Sequence, residues 1–127
     1  MARVLIADDE ESMRRLVARA IGIDGHETMV AQDGAEALDI LMREDGAFDL
    51  LLTDIQMPVM DGIALALSAA REFPRVTILL MTGFAEQRER ASNLDAIAHD
   101  VITKPFTVAD IRTAVADALA SRREWQS

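Results

Sequence analysis

The chain has 127 residues, of which 50% are hydrophobic and 28% charged, enough apolar material for the core of one folded domain. Its 13 basic and 22 acidic residues leave a net charge of -9, which excludes the counterion-release gain of nucleic-acid binding and disfavours anionic lipid surfaces. The complete lack of cysteine rules out disulfides, thiolate metal sites and cysteine nucleophiles.

Short apolar runs alternate with amphipathic stretches from the start. Val4 to Ala7 reads as a first strand; it is too short for a signal peptide, and no other run could span a bilayer, so a cytoplasmic protein without membrane contact is expected. Ser12 to Ile23 reads as a helix, with Met13, Leu16, Val17, Ala20 and Ile21 on one face, broken by Asp24-Gly25. Thr28 to Ala31 is a second strand. Asp33 caps the next helix, with Glu36 placed to complete a capping box. Leu50 to Thr53 lacks alternation, as expected of a strand covered on both faces. After a loop with Pro58 and Gly62, Ile63 to Phe73 is a helix that ends before Pro74. Val76 to Met81 is a fourth strand, Gln87 to Leu94 a polar helix, and Val101 to Thr103 a fifth strand. Thr107 caps a last helix with Asp110 in its first turn. Five strands alternating with five helices imply an α/β domain, a doubly wound parallel sheet with helices on both sides.

The functional crevice of such a sheet lies beyond the carboxyl ends of its strands. Asp8 and Asp9 follow the first strand, Asp54 the third, Thr82 the fourth and Lys104, before Pro105, the fifth. Three carboxylates at one edge repel one another, and a divalent cation relieves that cost. Mg²⁺ suits these hard oxygens: Asp9 and Asp54 as ligands, the Gln56 backbone carbonyl nearby, and Asp8 acting through water. His26 and His99 sit elsewhere in the pattern and read as ordinary surface or loop residues.

Cation, lysine and hydroxyl together are what phosphoryl transfer needs, because positioning and charge neutralisation dominate that reaction. Asp54 would be the acceptor, Lys104 and the cation would neutralise the phosphoryl oxygens, and Thr82 would donate a hydrogen bond to one of them. Each residue alone has a plainer reading: Asp9 as a helix N-cap, Asp54 as a turn cap, Thr82 and Lys104 as surface groups. Their order after successive strands favours the chemical reading.

Asp8-Asp9, Thr53-Asp54, Met57-Pro58, Met60-Asp61-Gly62, Met81-Thr82-Gly83 and Thr103-Lys104-Pro105-Phe106 together resemble the response-regulator receiver domain, CheY-like, over essentially the whole chain. The resemblance implies a single (βα)5 flavodoxin-like domain, a five-stranded parallel sheet in order 2-1-3-4-5, and a histidine kinase or histidine phosphotransferase as phosphodonor. It divides the chain into a receiver over 1–121 and a short tail over 122–127, without an output domain. The output is then a protein-binding surface over the polar helix, the fifth strand and the last helix that changes with the charge on Asp54.

Many receivers carry an aromatic residue three before the lysine-proline pair. Here that position is Val101, which has no ring to relocate, so the switch is expected to run through the loop from Thr82 to Gln87 and its Phe84. Val101, the Met81-to-Ala85 segment and the absence of an output domain resemble stand-alone CpdR-type regulators. That implies an adaptor which, unphosphorylated, primes the ClpXP protease in cell-cycle control, with ClpX as partner. The alternatives are a chemotaxis-type switch, a relay phosphate shuttle and, more remotely, a haloacid-dehalogenase-like phosphatase. The last needs an acid/base two residues after its nucleophile, where this chain has Gln56.

Overall fold

The structure, a computed structural model, describes residues 1–83, 89, 91 and 94–126, with side chains as far as 121. Its elements are β1 (Arg3–Ala7), α1 (Glu11–Ile23), β2 (Glu27–Ala31), α2 (Gly34–Arg43), β3 (Leu50–Asp54), α3 (Gly62–Glu72), β4 (Thr77–Thr82), β5 (Asp100–Thr103) and α4 (Val108–Gln126). The strands form one parallel sheet in the order β2-β1-β3-β4-β5, as the resemblance implied. Four helices are described; the helix expected over Gln87 to Leu94 falls largely outside the described residues. The last helix continues to Gln126, through residues set apart above as a tail.

Side chains along each strand alternate between the two faces. Leu5, Leu51, Ile78 and Leu80 pack on one side with Ile40 and Leu41 of α2 and Leu65 and Ala69 of α3. Val4, Ile6, Leu50, Leu52, Leu79 and Met81 pack on the other with Val17 and Ile21 of α1 and Ile111 and Val115 of α4. With helices on both faces, central β3 is buried at all five positions, which is why its sequence shows no alternation.

Local signals set the helix ends. Asp33 accepts from the Glu36 N–H at 2.8 Å and Asp61 from the Ala64 N–H at 2.9 Å, each capping its helix through a side chain. Thr107 and Asp110 cap α4 reciprocally, at 3.1 and 2.9 Å. Helix α1 begins one residue earlier than the periodicity indicates, and its N-cap is Glu10 with no side-chain cap bond. The plainer reading of Asp9 as that cap is therefore wrong.

Two glycines allow backbone contacts that no other residue could. A β-carbon on Gly34 would collide with the Met60 carbonyl oxygen, and one on Gly62 with the carbonyl of Asp54. The loop after β3 is thereby held against α2 and against the end of its own strand.

Candidate functional site

Register carries the chemistry to one edge. Ala7 pairs with Thr53, Asp54 with Met81, and Thr82 with Thr103. Asp8, Asp54, Thr82 and Lys104 thus end neighbouring strands or follow them directly.

Asp8 is fully buried and held from several sides. Its N–H donates to the Ala31 carbonyl at 3.2 Å, its Oδ1 accepts from the Glu10 N–H at 2.9 Å, and Arg14 donates to its carbonyl at 2.8 Å. Asp9 is exposed, and Asp54 is 7% exposed. One carboxylate oxygen from each of the three lies within 4.8 Å of the others. The Lys104 ammonium sits between Asp8 Oδ2 at 3.2 Å and Asp54 Oδ1 at 3.3 Å.

Lys104 precedes a cis peptide bond to Pro105, and its N–H donates to the Thr82 carbonyl at 2.7 Å. Thr82 is fully buried, and its neighbour Gly83 lines the site. The pocket has a volume of about 320 Å³ and is lined by Asp8, Asp9, Glu10, Asp54, Gln56, Gly83 and Lys104. Glu10 escapes the sequence reading, and Gly83 enters it as part of the Met81-Thr82-Gly83 motif but not as a lining residue; each directly follows an expected site residue, the one signal that could mark them.

Burial pushes the Asp54 carboxyl up to about 6; Lys104 pulls it down and Asp8 adds a smaller upward push. Burial lowers Lys104, but Asp54 and Asp8 outweigh it and leave its pKa raised, so it stays protonated. Asp54 therefore binds its proton more tightly folded than unfolded. Its contribution is fully present below about pH 4 and is lost as pH rises through about 6. In chelator-treated protein, Asp54→Asn should match wild type below that window and be about 3 kcal/mol more stable at pH 7.5. Urea titrations at both pH values check the crossover; equal stability at both would contradict the burial penalty.

The donor set suits a hard cation. It offers carboxylate oxygens alone, with Asp8 buried and with Gln56 lining the same pocket. The two histidines lie elsewhere: His26 Nδ1 accepts from the Ala2 N–H at 3.0 Å, and His99 Nε2 lies 3.0 Å from Asp117. Val101 packs against the core and its N–H donates to Asp100 Oδ1 at 2.8 Å. Phe84, the expected centre of the switch loop, lies outside the described residues, as do Arg88 and Arg90; Glu89 between them is exposed. No helix among the described residues is long and apolar enough to cross a membrane.

The family model described as response regulator receiver domain matches residues 4–116. The response regulator receiver protein CpdR of Brucella abortus is 40% identical over 114 residues, 87% of this chain and 91% of that protein. The regulatory protein AtoC of Escherichia coli is 36% identical, and the match spans 92% of this chain but only 25% of AtoC. The chain likewise spans about half the length of ycf27 of Porphyridium aerugineum (48%) and of several mycobacterial MprA proteins (46%). Among solved structures, the response regulator TrrA of Thermotoga maritima in complex with Mg²⁺-BeF superposes with a TM-score of 0.83 at 28% identity, covering 94% of this chain and all of that one. Chemotaxis regulator CheY4 of Vibrio cholerae superposes with a TM-score of 0.82 at 27% identity, covering 94% and 99%. Receiver domains are signalling proteins of two-component systems, and the remote phosphatase reading gives way to that assignment. The chain belongs to the response-regulator receiver family.

Proposed function

We propose that this chain is a phosphorylation-controlled protein switch whose acceptor is Asp54. The observation that carries the reading is the Lys104 ammonium held between Asp8 and Asp54 beside a third carboxylate, at the carboxyl edge of a parallel sheet. Asp8, Asp9, Asp54 and the Gln56 carbonyl are the groups that would hold Mg²⁺. When bound, the cation supplies positive charge opposite the phosphoryl oxygens.

The donor is a phosphohistidine on a histidine kinase or histidine phosphotransferase. An Asp54 carboxylate oxygen attacks phosphorus; the O–P bond forms as the N–P bond breaks, and the imidazole nitrogen keeps the bonding pair. Lys104 meets the charge brought to the site, and the Thr82 hydroxyl, fully buried and absent from the pocket lining before phosphorylation, turns to donate to a phosphoryl oxygen. The chain assists only its own phosphorylation and dephosphorylation.

The finer reading is a cytoplasmic CpdR-type adaptor in cell-cycle control that engages ClpX when unphosphorylated and so primes ClpXP. Its support is the 40% identity spanning nearly all of the Brucella CpdR. Titrating the isolated ClpX N-terminal domain with Asp54→Ala and with beryllofluoride-loaded wild type tests it. Binding by Asp54→Ala and none by the loaded form is expected. Binding by the loaded form alone would indicate a chemotaxis-type switch, and binding by neither would also end the adaptor reading.

A further inference from the structure

The loop between β3 and α3 is pinned at both ends. The Gly62 N–H donates to the Ile55 carbonyl at 2.7 Å, and the Met60 carbonyl accepts from the Gly34 N–H at 3.0 Å. Between these pins the Met60 N–H donates to the Pro58 carbonyl at 2.7 Å, closing a three-residue turn centred on Val59 at φ 68°. Turns of this kind are rare and strained, and a β-branched residue suits positive φ worst. The other non-glycine residue at positive φ among those described is Asp45, a type that tolerates it.

Val59 is also 86% exposed, so packing within the molecule does not offset the strain. Glycine or asparagine would make the same turn at lower cost. The side chain therefore has its use outside the molecule. The same loop starts at Asp54, and its Gln56 lines the pocket. Asp54 is nearly buried, so a protein donor must close over this mouth to bring phosphorus to it. Asp9, Glu10 and Lys104 make the rest of the lining mostly charged. A small anionic donor gains nothing from an apolar tip; a folded protein surface does.

We propose that Val59 is a specificity-determining contact for the phosphohistidine-bearing protein, an apolar tip on which that donor seats, a role that rests on the receiver reading. The test compares two classes of donor: acetyl phosphate, and purified histidine kinases autophosphorylated with ATP, of which the fastest for wild type is used. Val59→Asn should raise the thermal midpoint, leave the acetyl phosphate rate within about twofold, and slow transfer from the kinase by about tenfold, the effect of losing one apolar interface contact. Val59→Ile should restore the kinase rate. An unchanged kinase rate in Val59→Asn overturns the role, as does an equal loss with both donors. Acetyl phosphate labelling without transfer from any kinase would refute the protein-donor reading itself; no labelling from either source would refute the receiver reading.

Discussion

Gly62→Ala should cost the domain about 3–5 kcal/mol, a large part of the stability of a protein this size. The added β-carbon would collide with the Asp54 carbonyl and lie 2.9 Å from the Ile55 α-carbon. These are backbone atoms, so no side-chain rotation can make room. Either α3 backs away from the sheet or the end of β3 shifts, and both break the 2.7 Å bond from the Gly62 N–H to the Ile55 carbonyl. Gly22→Ala in α1 is the matched control: nothing lies within 4 Å of the new carbon. Gly22 lies in the last turn of α1, so the change should stabilise by up to roughly 0.5 kcal/mol, less than at a helix interior. Urea titrations of both variants check the pair. A Gly62→Ala protein within about 1 kcal/mol of wild type would show that the contact relaxes easily.

Lys104→Met should slow phosphorylation by acetyl phosphate about 100- to 1000-fold, the scale of losing one preorganised charge partner. The ammonium lies 3.3 Å from the Asp54 carboxylate and 3.2 Å from Asp8, and three aspartates converge on the pocket. Bringing a further anion there without Lys104 leaves charge that the remaining side chains cannot balance. The same change should push Asp54 above its value of about 6, because the lysine is the main influence holding it down. The metal-free variant should therefore lose more stability at pH 8 than at pH 5, where Asp54 carries its proton. Lys104→Arg should rescue poorly, since a planar fork does not replace a point charge between two carboxylates. A Lys104→Met rate within tenfold of wild type would remove the lysine from the chemistry.

The strands, their parallel arrangement and the edge bearing the chemistry were legible in the chain because a doubly covered sheet writes itself as apolar runs. In such a sheet, the residue following each run is the one presented to the crevice. Asp8, Asp54, Thr82 and Lys104 follow that logic directly. Strand order came from the motif resemblance, since alternation alone does not say which strands are neighbours. Asp8 and Asp9 look equivalent as an adjacent pair beyond β1, yet one is fully buried and the other exposed, although both bring a carboxylate oxygen to the same cluster. Gly62 is legible as a residue that shapes the loop presenting Asp54, but its contact with the Asp54 carbonyl is not, and the role of Gly34 is not legible, because it depends on backbone distant in sequence. Val59 looked like one loop residue among others, because φ is a property of the turn and not of the letter.

The proposed switch turns on Asp54 as the phosphoryl acceptor. Incubation with acetyl phosphate and Mg²⁺, followed by intact mass spectrometry in acid, addresses it most directly. Wild type should gain the mass of one phosphoryl group in an adduct that survives acid and is lost in alkali, and Asp54→Ala should gain none. Equal labelling of Asp54→Ala, or an alkali-stable adduct on wild type, would place the acceptor elsewhere.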